Sequence, residues 1–187
     1  MIETSLTWLG RLVSSPGGDD WRRLLDAYGP LLAGWLARAG VAEADRDDLT
    51  QEALMVVVRR VGEFEHRGKG AFRAWLRAIV ANHARKHFEA RRAVPTIDLD
   101  AVAAPDSEVG RLWDLEHDRH LAARAMRIVE GDVAPSTWAA FRRQVVDGCR
   151  PADVAAELGL SVNSVLLARS RVLKRLRAEL AGLVEDD

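Results

Sequence analysis

The sequence predicts an all-α protein of two small helical domains joined by an acidic, flexible linker. Three observations carry this. Apolar residues recur at helical spacing along most of the chain. No alternating segment of strand length survives. Near the C-terminus, two short helical patterns flank a turn containing a glycine, the sign of a helix-turn-helix. The 187 residues are enough for one compact domain or two small ones.

Taken in order, Trp21, Leu24, Leu25, Tyr28, Leu31, Leu32, Trp35 and Leu36 form one amphipathic stripe. Gly29-Pro30 is expected to kink or split it, and Gly40 to stop it. Asp45, Asp47 and Asp48 open a second helix carried by Leu49, Ala53, Val56 and Val57, and Arg59 and Arg60 close it, charges that suit the helix dipole. Residues 63–70 hold two glycines and several charges and read as a loop. Phe72, Trp75, Leu76, Ile79, Val80 and His83 make a third stripe, with Arg73, Arg77 and Arg85 mostly off it. One buried and one cationic face are therefore expected.

Residues 93–106, with two prolines and no helical period, read as the linker. Val109, Leu112, Trp113, Leu121, Ala125 and Ile128 resume a helix that Gly131 should break. Pro135 suits a first helical position ahead of Trp138, Phe141 and Val145, and Gly148 ends that helix. Pro151 opens a short helix through Leu158. Gly159 fits a left-handed cap, and Ser161 can N-cap a last helix carried by Val165, Val172, Leu176 and Leu180. The expected divisions are an N-terminal extension (1–18), a first domain (19–92), the linker (93–106) and a second domain (107–187).

Net charge is only −1, but the charge is distributed in blocks. Residues 67–92 carry eight bases against Glu89 alone, and residues 93–118 carry seven acids against Arg111 alone. Residues 169–177 add five bases and no acid. Such blocks point to a polyanion partner. No apolar run approaches the ~18 residues of a membrane span, and no secretory signal is expected at the N-terminus. Cys149 stands alone, which excludes an internal disulfide and any zinc site built on several cysteines. A reducing cytoplasm is the expected compartment.

His83 and His87 have a spacing that can hold a metal, but no third ligand is evident, and the same holds for His117 and His120. No phosphate loop, nucleophile elbow or carboxylate pair marks an enzyme, and no cofactor is expected. Cations interleaved with Phe72, Trp75, His83, His87 and Phe88 suit single-stranded nucleic acid, although Phe72 and Trp75 also read as core. Ser161, Asn163 and Ser164 open the last helix with small polar groups, and Arg169, Ser170, Arg171 and Lys174 follow. A recognition helix places its first residues in the major groove, and nearby bases hold phosphates. Leu166 and Leu167 either pack inward or touch thymine methyls.

Two motifs, in this order, resemble bacterial RNA polymerase sigma factors of the extracytoplasmic-function group. The first is Asp47-Asp48-Leu49-Thr50-Gln51-Glu52, followed by Gly70-Ala71-Phe72-Arg73-Ala74-Trp75-Leu76 and the stretch from Ile79 to Asn82; it is similar to sigma domain two. The second runs from Ala152 to Val162 and resumes from Arg171 to Leu176; it is similar to sigma domain four.

The resemblance implies a non-catalytic initiation factor that directs core polymerase to promoters. Asp48, Gln51, Glu52 and Met55 would dock on the polymerase clamp. His66, Arg67, Lys69, Arg73, Trp75, Arg77, Asn82, Arg85 and Lys86 would bind and melt the −10 element, with a base flipped into the loop. Arg150, Ser161, Asn163, Ser164, Arg169, Ser170, Arg171 and Lys174 would read the −35 element as duplex, near the polymerase flap. The resemblance admits an anti-sigma factor as a further partner and a nucleoid location within the holoenzyme. The alternatives are a stand-alone helix-turn-helix regulator and a polymerase-binding module without promoter activity.

Overall fold

The computed structural model describes residues 19–65, 70–104 and 107–180. Their elements are α1 (Asp19–Arg38), α2 (Glu43–Arg60), a 3-10 turn (Val61–Glu63), α3 (Ala71–Arg91), α4 (Leu99–Ala103), α5 (Glu108–Asp132), α6 (Pro135–Val145), α7 (Pro151–Leu158) and α8 (Val162–Leu180), with no strand among the described residues. The chain is all-α, as its periodicities predict. Two compact units emerge. The first holds the described residues up to Leu121, and the second those from Ala122 to Leu180.

In the first unit α1 buries Leu24, Tyr28, Leu32, Trp35 and Leu36 against Leu49, Ala53 and Val57 of α2 and Phe72, Leu76 and Val80 of α3. Of the kink or split expected at Pro30, the split does not occur: α1 is one helix through it. A mid-helix proline costs roughly 3 kcal/mol, and the buried residues on both sides of it offset that cost. The carbonyl of Ala27, on the turn that Pro30 disturbs, accepts a hydrogen bond from His120 Nε2 at 2.7 Å.

The segment expected to be a flexible linker is largely ordered against this unit. Gly40 ends α1 with φ +91°, and a Cβ there would lie 2.9 Å from Thr96 Cγ2. Only glycine meets both demands without strain. Thr96 then ties residue 96 to the end of α1: its N–H donates to Ala39 O at 2.8 Å and its hydroxyl to Arg38 O at 2.5 Å. Asp98 caps α4, accepting from Asp100 N at 2.9 Å and Ala101 N at 3.1 Å, and Leu99 and Val102 are buried. The missed signal was an aspartate N-cap followed by apolar residues three apart.

The expected boundary also differs. Trp113, His117 and Leu121 of α5, four residues apart, are all buried, and the Trp113 ring centroid lies 4.7 Å from that of Trp35. The first half of α5 is therefore part of the first unit's core, not the start of the second domain.

In the second unit, α5 ends at Asp132, one residue past the expected break at Gly131, and Pro135 opens α6. Val129, Trp138, Phe141 and Val172 form one cluster, packed by Met126, Val133, Leu173 and Leu176. Ala140, Val154, Ala155, Val165 and Ala168 form another, with Cys149, Leu158 and Leu160 against it. Gly159 takes φ +64°, and Leu160 N–H donates to Ala155 O at 2.9 Å, so the chain turns sharply between α7 and α8. Ser161 Oγ accepts from Ser164 N at 3.1 Å, making the expected N-cap. The helix-turn-helix expected between Pro151 and Leu180 is thus formed.

Candidate polymerase and nucleic-acid surfaces

On α2, Asp48, Gln51, Glu52 and Met55 are all exposed. At ~100° per residue they share one side of the helix, opposite Leu49, Ala53 and Val57. Met55 is 49% exposed, an apolar centre among polar neighbours. Glu52 Oε2 lies 3.6 Å from His83 Nδ1 of α3, so this surface runs onto the next helix.

On α3 the expected cationic face divides in two. Trp75, Asn82, Arg85 and Lys86 lie on one side, and Arg73 and Arg77 on the other. Trp75 is half-buried, its ring 5.3 Å from Phe64 and 5.6 Å from Phe72 between centroids. Phe72 is buried and lies 5.7 Å from Tyr28. Lys86 and Asn82 are exposed. Arg85 bonds Asn82 Oδ1 at 2.6 Å and Asp100 Oδ1 at 2.5 Å. An exposed pair of this kind contributes ~0–1 kcal/mol, so a phosphate can replace it. His66, Arg67 and Lys69 lie outside the described residues.

Arg73 and Arg77 correct the expected nucleic-acid set, because both are only 1% exposed. Arg77 Nη1 bonds Asp114 Oδ1 at 2.8 Å and the carbonyl of Gly110 at 3.0 Å. Arg73 Nη1 bonds Asp118 Oδ1 at 3.0 Å. The pairs cross, Arg73 to the later aspartate and Arg77 to the earlier, so the first half of α5 runs antiparallel to α3. Part of the acidic block following the basic one is thus its internal counterion. The signal was present in the sequence as two pairs four apart, Arg73/Arg77 and Asp114/Asp118.

His117 completes this buried cluster. Its Nδ1 lies 3.3 Å from Asp118 Oδ1 and its Nε2 3.4 Å from Tyr28 Oη. A carboxylate only accepts, so Nδ1–H donates to Asp118 and Nε2 accepts from Tyr28. Burial holds the His117 pKa below its usual value, aided by Arg73 and opposed by the hydrogen bond and charge of Asp118 and the charge of Asp114. An unfolded His117 therefore takes up a proton at a higher pH than the folded one. The stability this gives the fold is present above pH ~6.5 and is lost as pH falls toward the folded value. Chemical denaturation between pH 7.5 and 5 should show that loss, and His117→Gln should reduce it. An equal slope in both proteins would place the acid sensitivity elsewhere.

In the second unit, Arg150 precedes α7, and Ser161, Asn163, Ser164, Arg169, Ser170, Arg171 and Lys174 are all exposed at or along α8. Leu166 and Leu167 do not pack inward; each is 45% exposed. Leu167 and Arg171 border one hollow with Ser136, Thr137 and Ser164. Arg143 instead holds α6 to α7 through Glu157, at 2.8 Å from Nη2.

Fold and surfaces define an all-α chain ending in a helix-turn-helix. Residues 24–94 match the family described as Sigma-70 region 2. Two solved structures also match. One is CnrH in complex with the cytosolic domain of CnrY, with 23% identity over 94% of this chain and 96% of that chain and a TM-score of 0.38. The other is the RsbN–BldN complex, with 18% identity over 91% and 97% and a TM-score of 0.37. No curated protein matches the chain in sequence. No described helix is long and apolar enough to cross a membrane.

Proposed function

We propose that the chain is a sigma factor of the extracytoplasmic-function type, which binds core RNA polymerase and directs it to promoters carrying −10 and −35 elements. The observation that carries the reading is the Sigma-70 region 2 match over residues 24–94, in a chain that also carries a helix-turn-helix with a cationic last helix. The protein catalyses nothing itself. It acts in the cytoplasm, at the nucleoid when part of the holoenzyme.

Asp48, Gln51, Glu52 and Met55 dock on the polymerase clamp. A polar rim around an exposed methionine suits a basic partner with an apolar centre. Trp75, Asn82, Arg85 and Lys86, with His66, Arg67 and Lys69, take the melted −10 strand: the ring stacks a base and the cations track phosphates. Arg73 and Arg77 have no part in this, because their guanidinium groups are spent on Asp118 and Asp114. The helix-turn-helix acts as sigma domain four and reads the −35 duplex near the flap, its cations on phosphates and its first turn in the major groove. A stand-alone regulator would use the helix-turn-helix but would have no use for a Sigma-70 region 2.

The docking role is tested by changing Asp48 and Glu52 together to alanine. Both side chains are exposed, so helical content should be unchanged. Affinity for core polymerase should fall at least about tenfold, the equivalent of ~1.4 kcal/mol. Wild-type affinity in the double variant would contradict this assignment.

A further inference from the structure

We propose that Leu166 and Leu167 are specificity-determining residues that read thymine 5-methyl groups in the duplex bound by α8. The inference rests on the reading of α8 as a duplex-reading helix and adds the chemistry by which it selects sequence.

The inward face of α8 is set by Val165, Ala168 and Val172, all buried. At ~100° per residue, the arc opposite them holds Asn163, Leu166, Leu167, Ser170, Lys174 and Arg177. Arg169 and Arg171 are two residues apart, so they fall on opposite edges of that arc. From Val162 to Ala178 the helix has no acid. On the exposed face Leu166 and Leu167 therefore flank a polar middle of Asn163, Ser170 and Lys174, and both lie between two cationic edges.

The partner that fits this pattern is a polyanion with apolar groups at the bottom of its groove. B-DNA meets both demands. Its major groove, ~12 Å wide, admits a helix, its phosphates line both edges, and the apolar group on its base edges is the thymine methyl. The polar side chains at the start of the helix are partly committed elsewhere. Ser161 Oγ and Ser164 Oγ lie 2.8 Å apart, and Ser161 also caps Ser164 N. Asn163 and Ser170 remain to hydrogen-bond base edges, and the two leucines, each 45% exposed, flank them. Leu167 also borders the open hollow beside Arg171, which leaves room for a base edge against it.

The test uses holoenzyme assembled from the full chain and bacterial core polymerase. Bound duplexes are selected from a pool randomised upstream of a fixed start region. Enriched duplexes are then remade with deoxyuridine replacing single thymidines in the −35 region, which removes the methyl and keeps every hydrogen-bonding group. Each contacted methyl should be worth about fourfold in affinity. Leu166→Ala and Leu167→Ala should each lose discrimination at one thymine, with helical content and polymerase affinity unchanged.

Enriched duplexes insensitive to deoxyuridine, or alanine variants that still discriminate, would overturn the methyl contacts and leave the duplex-reading role standing. Loss of polymerase affinity in the leucine variants, with methyl discrimination intact, would assign the patch to a protein partner and overturn the proposal. No enrichment by a holoenzyme that does assemble would overturn the promoter-reading function itself.

Discussion

Replacing Asp114 with alanine should destabilise the first unit by about 3–5 kcal/mol, the cost of stranding a buried charge. The change removes the carboxylate 2.8 Å from Arg77 Nη1 and leaves that guanidinium 1% exposed with only the Gly110 carbonyl to hold it. Burial already pushes the Arg77 pKa below the usual arginine range, with Asp114 opposing that shift and Arg73 adding to it. Losing Asp114 therefore removes the main group that favours the charged form. Urea denaturation measures the effect directly. A surface acid would change stability by no more than about 0.5 kcal/mol. A shift that small would return Arg77 to the solvated cationic face.

Where the first unit ends gives the second large effect. A fragment of residues 19–121 should fold cooperatively, and one of residues 19–104 should not. The shorter piece lacks Trp113, His117 and Leu121, all buried, and the aspartates that neutralise Arg73 and Arg77. Truncating one fully buried tryptophan costs ~3–5 kcal/mol, and removing the buried Arg77 guanidinium's carboxylate adds ~3–5 kcal/mol more. The sum is of the same size as the ~5–15 kcal/mol that holds an ordinary domain together. Circular dichroism and thermal melting of the two fragments separate the outcomes. A sharp transition in the shorter one would show that α5 is dispensable to the first unit.

Both expectations concern the places where the sequence was hardest to read. Helices with one wet face were legible from spacing alone, as with the Leu24–Leu36 stripe and the Ser161 cap. The exposed acids of α2 and the cations of α8 were legible too, because Asp48, Glu52, Arg169, Arg171 and Lys174 all stay on the exposed faces that the spacing assigns them. Arg73 and Arg77 were not, because they fall off the apolar stripe yet face another helix. Arginine within an amphipathic pattern reads as solvent-facing unless its counterion is found, and here the counterions lie some forty residues on.

The linker misled for a related reason. Its prolines and acids have the composition of a solvated segment, but Thr96, Asp98, Leu99 and Val102 each make a local contact that composition does not record. Pro30 shows the converse, because proline breaks an isolated helix more readily than one with Tyr28 and Leu31 buried beside it.

The central claim is that this chain gives core polymerase a choice of promoter. It is tested most directly by in vitro transcription with bacterial core polymerase on a pool of genomic fragments, with and without the protein. The proposed function predicts initiation at a defined set of start sites that share two upstream elements, and only when the protein is present. Transcription that stays equally unselective with the protein bound to polymerase would contradict it.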